Sequence, residues 1–268
     1  MAVQTVPKPK AKKSWLEFDE KARQRILSFI SPVIFLAIWE FLSRSHILDI
    51  RFFPPPTQII GTLINMIIDG ELWHNLGISL YRILAGFALG AVPGLIIGLS
   101  MGLFKPVRVA LEPLVAATYP IPKLALMPLI MLIFGLGNTQ KIVTIALGAF
   151  FPVLINTVAG VVNMDKIYME VAKNFGASRK DFYFTVALPG ALPLIFTGLN
   201  LGMGMALLLI VAAEMMGADA GIGYLVWESY SIFDLEKMFV AFIVISMLGY
   251  LFNVLLNEIE RWLVPWRR

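Results

Sequence analysis

Residues 164–189 read MDKIYMEVAKNFGASRKDFYFTVALP, and this stretch decides how the chain is organised. On either side the sequence is apolar for about the 20 residues that cross ~30 Å of hydrocarbon. The stretch itself is amphipathic and carries both acidic and basic side chains, among them Asp165, Glu170, Lys173, Arg179, Lys180 and Asp181. A charged segment with a helical pattern between two spans is a structured loop. Asp165 has the chemistry of an N-cap for a short helix through about Asn174. Gly176 supplies the left-handed conformation that ends such a helix, and Ser178 is placed to cap a second one. Pro189 and Pro193 bound the entry into the next apolar run. The expected product is two short helices at a sharp angle across one end of a membrane bundle.

Composition extends this reading outward. The chain has 268 residues, of which 58% are hydrophobic and 15% charged, where soluble domains carry roughly a quarter charged residues. Six spans are expected, at about 26–43, 82–104, 108–135, 141–163, 190–213 and 238–257. The fold class is therefore all-α and polytopic. The third span contains Pro113, Pro120, Pro122 and Pro128 and must kink or break, which membranes tolerate only where protein or a cavity satisfies the freed backbone. A re-entrant segment there would leave five spans. The run at 26–43 does not read as a signal peptide, because residues 44–49 lack a small-residue cleavage pattern. Residues 1–25 are read as a basic tail or a helix lying on the membrane surface, and 26–268 as one membrane domain that includes the loop at 164–189.

Charge orients the chain. With six spans, one side receives the N-terminal cluster, Lys105, Arg108, Lys166, Lys173, Arg179, Lys180, Arg261, Arg267 and Arg268. The other side receives Arg44, Arg51, Arg82, Lys141 and Lys237. The positive-inside rule then places both termini and the 164–189 loop in the cytoplasm of a cell (inner) membrane. The 44–81 segment is external, with a helical pattern at 57–68 that puts Ile60, Leu63, Ile64 and Ile67 on one side. Gly86, Gly90, Gly94, Gly98 and Gly102 recur every four residues, as do Gly198 and Gly202, a spacing that lets membrane helices approach closely.

The chemistry the chain lacks is informative. Without cysteine it has no disulfide, thiolate metal site or cysteine nucleophile. His46 and His74 have no metal-ligand partners at useful spacing, and no nucleophile–base constellation appears. No catalytic residue, metal site or bound cofactor is therefore assigned. Ionisable and polar groups inside spans are functional candidates by default. Lys123 sits where the third span breaks and is either an anion contact on a transport path or a structural group that pairs with a carboxylate or freed carbonyls, or snorkels. Glu214, near the outer end of the fifth span, is read as a gate or as an ion pair across a dimer. Asn156, Thr197 and Asn200 are neutral groups that either face a path or join helices. The basic tail suits a membrane or protein partner better than nucleic acid.

The loop resembles the EAA loop of ABC importer permeases, E-A-A-x3-G-x9-I-x-L-P. Glu170, Val171, Ala172, Gly176, Val186, Leu188 and Pro189 stand at the matching spacing, with Val171 and Val186 as two mild departures. The rest of the chain resembles the permeases for nitrate, taurine and aliphatic sulfonates. The shared stretches include Phe53–Thr57, Gly70–Asn75, Ser79–Arg82, Pro122–Leu129, Leu188–Pro193, Ala213–Glu214 and Gly221–Tyr224. This resemblance implies a fold like type I ABC importer permeases and a role as the membrane subunit of an ATP-driven importer. It implies a loop that docks in a groove of an ATPase, with Tyr168, Met169, Glu170, Ala172, Phe175, Gly176 and Pro189 as its coupling residues. The implied partners are two ABC ATPase subunits, a second and identical permease chain, an extracytoplasmic binding protein and the lipid bilayer. The chain has no G-x4-G-K-[ST] loop, so ATP and Mg would belong to the partner ATPase. The expected cargo is a small anion of the nitrate and sulfonate class; bicarbonate or a thiamine precursor is the alternative within the family. A stand-alone secondary transporter would show intramembrane acidic groups and an internal repeat, and neither is visible.

Overall fold

Apolar runs of this length fold as helices because a backbone in hydrocarbon must satisfy its own N–H and C=O groups. The computed structural model describes residues 15–164, 166–178 and 181–267. These fall into two units, Met1–Ile60 and Gly61–Arg268.

In the first unit, helix α1 spans Trp15–Arg44. It runs unbroken through residue 25, so the described part of the basic segment and the start of the first apolar run share one helix. Val33, Phe35, Ile38 and Phe41 are exposed on α1, a surface suited to lipid. Pro54–Pro56 turn the chain, and Pro56 opens helix α2, Pro56–Ile68, at the position where a missing N–H costs nothing. Glu40 ties the turn down. Its carboxylate accepts from the Thr57 N–H at 3.1 Å and the Thr57 hydroxyl at 2.8 Å, and pairs with Arg44. Along α2, Ile59 and Met66 are buried while Ile60, Ile64 and Ile67 are exposed.

The second unit holds the bundle. Its elements are α3 (Glu71–Leu103), α4 (Lys105–Thr118), a 3-10 turn (Lys123–Leu126), α5 (Met127–Phe134), α6 (Asn138–Val162) and α7 (Lys166–Asn174). A π turn (Phe182–Ala187), α8 (Leu188–Met215), α9 (Ile222–Ile232) and α10 (Leu235–Leu263) follow. Four of these segments, α3, α6, Phe182–Met215 and α10, are long and apolar enough to cross a bilayer. The pair Lys105–Thr118 and Lys123–Phe134, bent by 83°, passes the same test together and is either a broken fifth span or a re-entrant loop. Pro120 and Pro122 donate no N–H, so the helical ladder cannot run on across the break. The stretch 26–43, within α1, makes the sixth on the sequence reading.

Helix α6 is the centre of the bundle, packed between α3 and α8. The glycine seam is the reason. A Cβ at Gly90 would overlap the Ala146 carbonyl, and one at Gly98 would stand 2.7 Å from the Thr157 Cβ. On the other side of α6, a Cβ at Gly198 would stand 2.8 Å from the Asn156 Cβ. Ile83, Ile145, Met203, Ile210, Leu248 and Phe252 then close one core across α3, α6, α8 and α10.

One expectation is corrected. Helix α3 begins at Glu71 rather than near 82, because its polar first turns, with Asn75 and Ser79, are buried and bonded. The second short loop helix expected after Ser178 runs through Arg179 and Lys180, which lie outside the described residues. From Phe182 the chain forms a π turn that runs directly into α8, and the Leu188 N–H donates to the Tyr183 carbonyl, five residues back. Pro189 lacks an N–H, so the register changes where the α-helical ladder already misses a donor.

Candidate coupling loop and membrane cleft

Helix α7 ends as its sequence requires. Gly176 takes φ +69°, the Ala177 N–H donates to the Ala172 carbonyl at 3.0 Å, and the Phe175 N–H donates to Val171 at 3.0 Å. The six-to-one bond and the left-handed glycine make a Schellman stop. Ser178 and Asp181 then cap each other reciprocally. The Asp181 N–H donates to the Ser178 hydroxyl oxygen at 3.2 Å, and the Asp181 carboxylate accepts from the Ser178 N–H at 3.3 Å. This is the geometry of a capping box with aspartate as its acid.

These two stops fix which side chains face out. Glu170 is exposed and Phe175 is 87% exposed, while Ala172 is buried and belongs to the inner face. Asp165, Arg179 and Lys180 lie outside the described residues, as do the side chains of Tyr168 and Met169. Tyr183 ties the loop to the bundle, its ring meeting Phe104 edge-on at 5.8 Å between centroids, at the α3–α4 junction. Phe182 packs on Tyr183, and Leu188 packs on the core of Val161, Ala191 and Ile195. Pro189 sits in the first turn of α8.

A cleft of about 410 Å³ opens along α6 and α8, lined by Tyr119, Pro152, Asn156, Asn200, Leu201 and Met205 among others. The close α6–α8 approach at Gly198 brings the two asparagines together. The Asn156 amide donates to Pro152 O at 2.8 Å. The Asn200 amide donates to Phe196 O at 3.1 Å and to Asn257 at 3.3 Å, and Asn257 in turn donates to Asn253 at 3.0 Å. The sequence reading missed Asn253 and Asn257; their i, i+4 spacing in an apolar helix was the available signal. Thr197 is outside the cleft lining and donates to Pro193 O at 3.0 Å within its own helix.

Lys123 does not line the cleft. Its ammonium donates to Tyr119 O at 2.6 Å, Ile121 O at 2.8 Å and Thr118 O at 3.4 Å, and lies 4.5 Å from the Phe151 ring centroid. Of the two readings, the partner for freed carbonyls is the one the geometry supplies. Lys123 satisfies the break and so positions Tyr119, a wall of the cleft.

Glu214 does not reach across a dimer. Its side chain is fully buried and pairs with Arg82 of its own chain at 2.7 Å. It also accepts from the Ser79 hydroxyl at 2.8 Å and the Gly223 N–H at 2.9 Å. Arg82 further donates to Asn138 and to Ala220 O, and Asn75 accepts from the Gly221 N–H at 2.7 Å. Nearby, Lys141 donates to Leu136 O at 2.8 Å and Gly217 O at 2.9 Å. This cluster joins α3, α6, α8 and the start of α9. In the sequence Arg82 and Lys141 counted only as outer-side charges, since nothing local shows that Ser79, Arg82 and Glu214 converge.

The cleft offers neutral amides and apolar walls. Together with the spans and the charged loop, it defines a transport subunit of a membrane. Residues 94–268 match the family described as "Binding-protein-dependent transport system inner membrane component", and this chain belongs to that family of ABC transporter permeases. SsuC of Bacillus subtilis (strain 168), named for aliphatic sulfonates transport, is 37% identical over 88% of this chain and 86% of its own. The taurine transport system permease protein TauC of Escherichia coli (strain K12) is 33% identical, with 91% of each chain covered. The nitrate import permease protein NrtB of Leptolyngbya laminosa is 31% identical over 91% of this chain and 89% of its own. The fold is similar to a chain of the MetNI methionine ABC transporter in inward-facing conformations, with a TM-score of 0.53 at 17% identity. That match covers 73% of this chain and 95% of the other.

Proposed function

We propose that this permease carries a small anion of the sulfonate, taurine and nitrate class and couples its passage to ATP hydrolysis by a separate subunit through α7. The observation that carries the coupling is the rigid join between α7 and the bundle. A Schellman turn ends α7 and a capping box follows it at once, with Glu170 and Phe175 outward and Tyr183 braced on Phe104. A lever that transmits motion needs a fixed joint and a docking face. The Asn156–Asn200 cleft is the passage, with Lys123 acting through Tyr119, and Thr197 and Glu214 bracing α8. Two ATPase subunits holding ATP and Mg, a second identical permease, and an external binding protein complete the transporter. Both termini and α7 face the cytoplasm. The names of the relatives support the cargo class, and the charge bias along the chain supports the orientation.

Copurification with the partner ATPase tests the coupling. Glu170→Arg and Gly176→Pro are expected to abolish coupled ATP hydrolysis and weaken assembly; full coupling in both would rule out the loop. Uptake of nitrate, taurine, alkanesulfonates and bicarbonate by the reconstituted complex tests the cargo. Import of bicarbonate alone would move the chain to the other branch of the family.

A further inference from the structure

Arg108 and Glu112 lie on one face of α4 and line a second cleft, of about 190 Å³, at the loop end of the bundle. Tyr119 and Ile155 border both this cleft and the larger one, so the two adjoin. The remaining walls are apolar and include Met101, Val115, Leu154 and Val158. Arginine and glutamate four residues apart stand roughly 6 Å apart along a helix, a spacing that commonly pairs. Here they form no ion pair, and among the described residues neither side chain has a hydrogen-bond partner. The order explains part of this, because the acid-first arrangement is the favourable one and this pair runs base-first. Arg108 also lies near the N-terminus of α4, where the helix dipole opposes a cation and favours an anion beside it. The arrangement is a half-buried cation and an exposed anion, unpaired with each other, on the wall of an apolar cleft.

We propose that this cleft is a binding site for a small zwitterionic sulfonate, with Arg108 holding the sulfonate, Glu112 the ammonium and the apolar wall the linking carbons. Guanidinium matches a tetrahedral oxyanion with paired donors. A purely anionic cargo has no use for Glu112, which would repel it, whereas an aminoalkanesulfonate uses both charges. The site sits after the Asn156–Asn200 cleft on the way to the loop end, where cargo leaves an importer. This inference rests on the proposed cargo class and narrows it from small anions to amino-sulfonates.

Saturation-transfer NMR on the permease–ATPase complex in nanodiscs, without binding protein, is the test, with taurine and ethanesulfonate as probes. Wild type is expected to bind taurine saturably at millimolar concentration. Arg108→Gln weakens both probes, and Glu112→Gln weakens taurine alone, by about tenfold or more, the scale for a lost hydrogen bond to a charged group. Arg108→Lys retains partial binding, which separates charge from folding, and basal ATPase activity monitors assembly. No saturable taurine signal, or equal taurine binding in wild type and Glu112→Gln, overturns the site. Uptake in proteoliposomes with the binding protein reads the cargo class separately: sulfonate uptake without binding here sinks this site alone, and absence of any sulfonate or nitrate uptake sinks the cargo class.

Discussion

Glu214 shows what one buried charge demands of its surroundings. Removed from water, its carboxylate is stable only because Arg82, Ser79 and the Gly223 N–H all reach it. Deleting one partner leaves the other charge buried, and a cost of about 3–5 kcal/mol is typical of such breaks. Arg82→Met is therefore expected to lower the melting temperature of the detergent-solubilised protein sharply, and Arg82→Met with Glu214→Leu to recover part of the loss. A double variant no more stable than the single one would remove the ion pair as the cause. Gly221 is bound to the same carboxylate sterically. Its φ of +129° strains any side chain, and a Cβ there would strike the Glu214 carboxylate. Gly221→Ala should destabilise comparably, read by the same melt; an unchanged midpoint would mean that the α9 start is softer than its bonds imply. Such convergence is illegible in sequence, because Arg82 and Glu214 stand 132 positions apart and nothing between them records their meeting. Lys123 was half legible: prolines on its N-terminal side announced freed carbonyls, but not whether the ammonium would serve them or a solute.

The elements were read more fully than their joins. Gly176 was found as a helix stop because left-handed backbone has few other residues that adopt it cheaply, and the glycine repeat predicted a close seam because its spacing matches a helix face. Along that seam, Gly90→Leu must force α3 off the Ala146 carbonyl, and loss of folded protein in fluorescence-detected gel filtration is the expected outcome. A normal profile would show that the α3–α6 spacing is not fixed there. What escaped was the π turn. A hydropathy pattern locates a helix but does not say which carbonyl each N–H chooses. Pro189 removes one donor, and the alternative register follows from packing of Tyr183 against Phe104. Ser178→Ala, which removes one side of the capping box, should cost about 1 kcal/mol and reduce ATPase stimulation by cargo-loaded binding protein more than it reduces assembly. Equal losses in both would make the cap a folding device only.

At the scale of the molecule, the all-α polytopic class was legible and its completion was not. Apolar surface remains open on α3 at Leu89, Val92 and Ile96 and on α10 at Met247, Tyr250 and Leu251, and lipid or a second copy must cover it. Native mass spectrometry of the complex is expected to give two permeases with two ATPases; a single permease per assembly would contradict the proposed stoichiometry.

The seam between α3 and α6 also bears on biogenesis. The tightest helix pair joins segments separated by residues 104–137, which include the whole bent pair. During synthesis, at about 5–20 residues per second, α3 waits in the bilayer for seconds with its glycine face uncovered. The bent pair enters before the partner that α3 requires. Chains that stall or are truncated before residue 162 therefore present an unfilled backbone groove to the membrane, a feature by which quality-control proteases can tell an unfinished chain from a finished one.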